Sequence, residues 1–260
     1  MTAASAEPVH LQTSDHDGVR LLTIDRPEAK NALNPPLRAA LVDAFTAADA
    51  DDAVKAIVLT AVDPVFSAGV DFKQVSRGPD GKSVASGPHD NPAAVLRRVR
   101  KPVIAAVNGA SVSGALEIAL SASFIVASER ARFADTHALL GVTPTWGLTA
   151  LLPRAIGVRK AREMSVTGKF VDAQEALRIG LVAHVVPHAE LLAFALGLAA
   201  RIPANEAVRE MLELYRRGED LSLAGAIASE TAHGANRKVD LAAFTAAGSA
   251  AAARQREDQP

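Results

Sequence analysis

Apolar positions recur along this chain at two periods, one of strands and one of helices. Residues 19–25 interleave Val, Leu, Leu and Ile with Arg and Thr, which predicts a strand. Arg26-Pro27 ends it, because proline has no N–H to give to a ladder. Leu37, Leu41, Val42 and Phe45 share one side of a helix expected over 37–53. Residues 56–62 and 102–107 are short continuous apolar runs, the pattern of strands buried on both faces. Pro64 breaks the first run, and the turn pair Asn108-Gly109 ends the second. A short helix is expected over 93–100, a helix over 114–122 and a strand over 124–127. Strand, turn and helix thus repeat through the first half, which places the chain in the α/β class.

After Gly147 the balance shifts to helix. Residues 173–179 stop at Gly180, a helix-terminating glycine, and 181–186 form a last short strand. From 189 to 217, and again from 222, the pattern is Ala- and Leu-rich helix, with a polar, frayed tail after residue 254. The polar stretch 77–91, rich in Gly, Pro, Ser and Asp, is expected to be a mobile surface loop rather than a linker, since element signals continue on both sides. The expected organisation is an N-terminal arm over 1–18, one core over 19–200, and a helical region over 201–260.

Composition removes several function classes. Lys plus Arg number 28 and Asp plus Glu 29, for a net charge of −1, which argues against a nucleic-acid binder built on a basic field. Aromatic residues at 4% disfavour a base-stacking surface. No cysteine is present, so disulfides, thiolate metal sites and thiol catalysis are excluded. No apolar run approaches the roughly 20 residues that a membrane helix needs. The first ten residues carry no Lys or Arg and no apolar core, so a secretory signal is not expected and a cytoplasmic protein is.

The chemistry concentrates in Lys101-Pro-Val-Ile-Ala-Ala-Val-Asn-Gly-Ala-Ser-Val-Ser-Gly-Ala-Leu-Glu117. This is a buried strand, a small-residue turn and a helix start. A helix start presents unpaired N–H groups, and small side chains let a ligand oxygen approach them, as in an oxyanion hole. Glu117 lies one turn on from Gly114, near the same face, where a carboxylate could move a proton beside the polarised group. A second small-residue turn, Phe66-Ser-Ala-Gly-Val-Asp-Phe-Lys73, could supply another N–H to the same oxygen. Either turn alone is more simply an ordinary strand–helix connection.

Five segments in order resemble the enoyl-CoA hydratase/isomerase (crotonase) family. They are Leu22-Thr-Ile-Asp-Arg-Pro-Glu-Ala-Lys-Asn-Ala-Leu33, the Phe66–Lys73 turn, Lys101-Pro-Val-Ile-Ala-Ala-Val-Asn-Gly109, Thr167-Gly-Lys-Phe-Val-Asp-Ala-Gln-Glu-Ala-Leu-Arg-Ile-Gly-Leu-Val182, and Val185-Val186-Pro187. The resemblance covers roughly residues 19–200. It implies an α/β, crotonase-like spiral of ββα repeats with a helical C-terminal region that mediates homotrimers, commonly paired into dimers of trimers. It also implies an acyl-CoA thioester substrate, an enolate-like intermediate, and no cofactor, coenzyme A being part of the substrate. No nucleic-acid, membrane or metal partner is expected. Motif position assigns the oxyanion donors to the amides of Val70 and Gly114. It places Lys30 and Lys73 near the CoA phosphates, and Ala29, Ala32 and Ala68 at backbone positions near the adenine pocket.

Hydratases of this family use two glutamates. The first matches Glu117; at the second this chain has His137, within Phe133-Ala-Asp-Thr-His-Ala-Leu-Leu-Gly141. A His near its ordinary range can donate or accept a proton at neutral pH, so His137 is read as replacing the glutamate in kind, as holding a water, or as purely structural. Asp135, two residues away, could orient it. The glycine cluster before the first glutamate is thinned to Ser113-Gly114-Ala115, and Trp146 either shapes the acyl pocket or packs a helix start. Gly109-Ala-Ser111-Val-Ser113 has the look of a nucleophile elbow but lacks its last glycine and its Asp and His partners. His184 and His188 straddle a strand and Pro187, which does not suit a zinc motif. Three readings remain open at this level: a hydratase, an isomerase or other enolate-forming enzyme, and a weakly catalytic acyl-CoA-binding protein.

Overall fold

The computed structural model describes residues 10–71 and 90–237, with 244, 245 and 248. Lys73, most of the 77–91 stretch and the polar tail lie outside the described residues. The chain forms two compact units, Met1–Arg209 and Glu210–Pro260.

In the first unit a six-stranded sheet runs in the order β1 (Leu11–His16), β2 (Val19–Ile24), β3 (Ala56–Ala61), β4 (Val103–Val107), β6 (Phe124–Ser128) and β9 (His184–Val186). Only β1 is antiparallel to its neighbour. The expectation of an arm over 1–18 is therefore corrected for 11–16: a tight Asp17-Gly18 turn folds these residues back onto β2, from Leu11 opposite Ile24 to His16 opposite Val19. Every residue of β3 and β4 is buried, as continuous apolar runs predict. Alternation sends Leu22, Ile24, Ile57, Leu59, Ala105 and Val107 into the main core. Val19, Leu21, Val58, Ile104 and Ala106 face the other way, onto a second core with Leu191 and Ala195.

A second layer of short extended segments crosses the first. Leu33 bridges Val70, Ser67 bridges Ser111 in β5 (Ala110–Val112), β5 pairs with β7 (Arg132–Ala134), and β7 pairs with β8 (Val171–Asp172). Each long strand is thus followed by a short one and then a helix. The helices so placed are α1 (Pro35–Ala50) after Leu33, α2 (Pro92–Leu96), α3 (Gly114–Leu120) after β5, and α4 (Leu148–Ile156) after β7. This is the ββα spiral that the resemblance implies.

The helices begin where side chains satisfy their first N–H groups. Asn34 accepts from Leu37 N–H at 3.1 Å at the head of α1, and Asn91 from Ala94 N–H at 2.9 Å at the head of α2. Helix α1 buries Leu37, Leu41, Val42 and Phe45, the predicted face. The expected helix 93–100 ends at Leu96, because the chain must turn to enter β4. The continuous helix expected over 189–217 is two: α7 (Leu191–Ala200) and α8 (Glu206–Gly218), after α5 (Val158–Thr167) and α6 (Ala173–Arg178). Pro203 lies in the break, where its missing N–H and its restriction on Ile202 stop the helix.

In the second unit Glu210 pairs with Arg237 at 2.7 Å and lies 3.6 Å from His233, which ties α8 to α9 (Leu223–Asn236). Met211, Tyr215, Leu223 and Ile227 are exposed and line a groove beside these helices.

One buried residue fixes the entry to the second layer. Asn31 sits at φ 54° with its side chain fully buried. Its amide donates to Val62 O at 2.8 Å and Val65 O at 2.7 Å, and its carbonyl accepts from Arg26 N–H at 2.8 Å. Asn31→Ala orphans three backbone groups and keeps a left-handed residue without its side-chain support. We expect it to cost about 2–4 kcal/mol, read as a lowered urea midpoint with an unchanged slope. An unaltered midpoint would reject this account of the loop.

Candidate active site

The site lies where three segments of the second layer meet. The Ser67–Ser111 bridge is held by Ser67 N–H donating to Ala110 O at 3.0 Å and Val112 N–H to Ser67 O at 3.1 Å. Three residues along from this pair come Val70 on one segment and Gly114 on the other. The two turns touch: a Cβ at Gly69 would lie 2.7 Å from Val112 O and 3.5 Å from Gly114 N, and one at Gly114 would lie 3.1 Å from Val70 Cγ2. Gly69 adopts φ 90°, which glycine tolerates and other residues rarely do. Gly114 opens α3, so its amide has no intrahelical acceptor. Neither Val70 N–H nor Gly114 N–H donates to an acceptor among the described residues. Ser113, just before α3, is held at φ 49°; its Oγ accepts from Thr136 N–H at 3.0 Å and lies 2.8 Å from Thr136 Oγ1. Ser111 is buried, and neither serine is hydrogen-bonded to a histidine among the described residues.

Glu117, on α3, is 2% exposed. Its Oε1 accepts from Trp146 N–H at 2.7 Å and Leu148 N–H at 3.1 Å, at the entry to α4. This leaves Oε2 as the atom facing His137 Nε2, 3.9 Å away. Burial pushes the Glu117 carboxyl above the ordinary carboxylate range; the Leu148 and Trp146 amides and His137 oppose the rise, and Asp135 adds to it.

The Asp135–His137 pairing raised as a possibility from the sequence is present. Asp135 Oδ1 lies 2.6 Å from His137 Nδ1 and accepts from His137 N–H at 3.1 Å. Burial pushes the Asp135 carboxyl upward, but hydrogen bonds from the His137 ring, the Ser165 hydroxyl and the His137 amide outweigh it and hold it below its ordinary value. Asp135 is therefore an ionised acceptor, and the assignment consistent with it puts the ring proton on Nδ1.

The positions matched to CoA are brought together by backbone. Pro27–Ala29 is a 3-10 turn, Lys30 follows at φ 53°, and Ala68 N–H donates to Lys30 O at 3.0 Å. Leu33 N–H donates to Gly69 O at 2.8 Å, so the segment holding Ala29, Lys30 and Ala32 lies beside the one holding Ala68. Lys30 is exposed. Arg26 clamps the two segments, donating to Asp71 at 2.7 Å and to Ala32 O at 3.1 Å.

Sequence reasoning missed three supports. The amides of Trp146 and Leu148 hold Glu117 from 29 and 31 residues away. Arg97 donates to Trp146 O at 2.7 Å and to Ser121 Oγ at 3.1 Å, fixing the segment that carries those amides. Arg38, 2% exposed, lies 6.0 Å from the Trp146 ring centroid and 3.2 Å from Asp90. Trp146 is itself 2% exposed with its ring against Gly114, so it both packs and walls the site.

Among the described residues no group of His, Asp and Glu is placed to hold a metal ion. His184 meets the Phe194 ring at 5.1 Å, whereas His188 bonds Ser128 and Asp63, each at 3.0 Å. Among the described residues no helix is long and apolar enough to cross a membrane.

A spiral of ββα units with two facing turns over a buried carboxylate defines the crotonase class. The model of the enoyl-CoA hydratase/isomerase family matches residues 14–235, and the chain belongs to that family. A probable enoyl-CoA hydratase of Rhizobium meliloti is 42% identical over 205 residues, 75% of this chain and 79% of that one. A probable peroxisomal enoyl-CoA hydratase 1 of Arabidopsis thaliana is 37% identical over 193 residues, covering 73% and 71%. The crystal structure of an enoyl-CoA hydratase from Mycobacterium smegmatis superposes with a TM-score of 0.72 at 43% identity, over 87% of this chain and 96% of that one.

Proposed function

We propose that the chain is an enoyl-CoA hydratase, adding water across the double bond of a 2-enoyl-CoA. The observation that carries this is the meeting of two amides, Val70 and Gly114, that have no acceptor among the described residues, with a buried carboxylate whose Oε1 is already occupied. The thioester oxygen takes both amides. As water attacks Cβ, electrons move through Cα to that oxygen, and the enolate is stabilised where its charge develops. Glu117 Oε2 accepts the proton that water loses. A proton then reaches Cα on the same face, with His137 Nε2 the second group within the site able to hold or pass one. Coenzyme A enters as part of the substrate, along Ala29, Lys30, Ala32 and Ala68, with Lys73 assigned to its phosphates by the family pattern alone; no separate cofactor is needed.

A second reading has its own support. His137 stands where the family places a second glutamate, and a single carboxylate suffices to move a proton between Cα and Cγ, as in an isomerase. Product analysis on a panel of 2-enoyl- and 3-enoyl-CoA thioesters of several chain lengths separates the two. Hydration of 2-enoyl substrates supports the first reading. Isomerisation alone supports the second. Tight binding with no turnover leaves an acyl-CoA-binding protein.

We place the enzyme in the cytoplasm as a homotrimer or a dimer of trimers. The exposed apolar side chains Met211, Tyr215, Leu223 and Ile227 suit packing between subunits. Light scattering that returned a monomer would reject the assembly.

A further inference from the structure

His137 is gripped at one end and, among the described residues, makes no hydrogen bond at the other. Asp135 Oδ1 lies 2.6 Å from Nδ1 and also takes the His137 backbone N–H at 3.1 Å, so one oxygen fixes both the ring and the chain that carries it. The Asp135 side chain is 1% exposed and that of His137 12%. Asp135 is further held by Ser165 on α5. Among the described residues, the other ionisable group paired with the His137 ring is Glu117 on α3, whose Oε2 stands 3.9 Å from Nε2. That gap is too long for a hydrogen bond between the two, and Oε1 is tied to Trp146 and Leu148. The free edges of the carboxylate and the imidazole thus converge.

We propose that Asp135 is a positioning residue that commits His137 to the tautomer with hydrogen on Nδ1, presenting a bare Nε2 beside Glu117 Oε2. This rests on the hydratase reading for its role in turnover, and on the geometry alone for the tautomer. In the opposite tautomer, Nε2–H would be a donor pointing at Glu117 and would compete for the carboxylate electron pair that has to accept the proton from water. With Nε2 bare, both groups can accept. Once Nε2 has taken a proton, the resulting imidazolium lies between two carboxylates, and the ring can hand that proton on without rotating. Asp135 therefore acts through His137 and touches no substrate.

The test has a spectroscopic arm and a kinetic arm, both on the full chain. Long-range proton–nitrogen correlation spectra of histidine-labelled protein report which ring nitrogen carries hydrogen; His137→Gln identifies the signals of this ring among the seven histidines. The expected wild-type result is hydrogen on Nδ1. Asp135→Asn is expected to give the Nε2–H form or a mixture, and to lower kcat for hydration of a short 2-enoyl-CoA about a hundredfold with KM changed less than about threefold. A wild-type ring protonated on Nε2 overturns the proposal, as does an Asp135→Asn protein with kcat within about threefold of wild type. If Asp135→Asn does not fold, the wild-type spectrum alone decides the tautomer. A wild type carrying hydrogen on Nδ1 that hydrates no 2-enoyl-CoA supports the tautomer assignment and sinks the hydratase reading instead.

Discussion

Glu117→Gln is expected to lower kcat for hydration of a short 2-enoyl-CoA by about a thousandfold, with KM changed by less than about threefold. The amide keeps the shape, and its carbonyl oxygen can still accept from Trp146 and Leu148 N–H. Its nitrogen then stands where Oε2 stood, and it donates where a proton must be accepted. The two amides proposed to polarise the thioester are untouched, so substrate affinity should be preserved while proton transfer is lost. Undiminished hydration would end the Glu117 mechanism.

The same variant should become more stable relative to wild type as pH rises. Burial holds the folded Glu117 carboxyl above its ordinary value, against the opposing amides and His137. Between the ordinary and the raised value the folded chain therefore binds more protons than the unfolded chain. Stability falls with increasing pH across that window, and the loss persists above it. Glutamine has no proton to lose, so urea midpoints of Glu117→Gln should rise relative to wild type through the window. Asp135 has the opposite sign: its lowered value contributes stability above the ordinary carboxylate range that is lost as pH falls. It is present in both proteins and largely cancels in the comparison. A gap that narrowed with rising pH would contradict the burial of an ionisable Glu117.

Gly69→Ala should damage both fold and turnover. The residue is held at φ 90°, and a Cβ there would lie 2.7 Å from Val112 O, a backbone atom that cannot swing aside. Strain and overlap together should cost about 3 kcal/mol. Relief requires the 67–70 segment to move off β5, which carries the Val70 amide away from Gly114. The folded fraction should then lose about a hundredfold in kcat. Gly180→Ala is the control: φ is 80°, but the nearest atom, Ala155 O, is 3.6 Å from the added Cβ. It should cost about 1–2 kcal/mol and leave kcat unchanged. Equal losses of activity in the two variants would show that close approach at Gly69 is not what positions the amide.

Much of this site could be read before the fold was known, for physical reasons. Strands β3 and β4 announce themselves because burial on both faces demands an unbroken apolar run. The turns at Gly69 and Gly114 are visible because close backbone approach demands small residues, and Glu117 follows one turn later. His137 and Asp135 are polar residues two apart, where the chain leaves β7 and turns into a 3-10 segment, and their contact is local. What escaped detection lacks a local signature. Strands β5, β7 and β8 span three, three and two residues, too short for a period to show. The Trp146 and Leu148 amides belong to the backbone, which every residue shares. Arg38 sits on α1 next to apolar Leu37, and the groups it meets there, Trp146 and Asp90, come from distant parts of the chain. The second-half helix was drawn too long because Ala and Leu favour helix at nearly every position, whereas one residue, Pro203, breaks it.

The bridge between Ser67 and Ser111 has a consequence for how this active site can change. Neighbouring extended segments are held about 4.8 Å apart by their hydrogen bonds. Two amides carried by such a pair can share one oxygen with each N···O distance near 2.9 Å, whatever side chains surround them. The reach of the proposed oxyanion pair, Val70 and Gly114, thus follows from backbone pairing. Specificity can drift through Val70, Trp146 or Arg38 without retuning the polarising contact, and substitutions that widen or narrow the acyl pocket should alter which thioester enters long before they alter how its carbonyl is held.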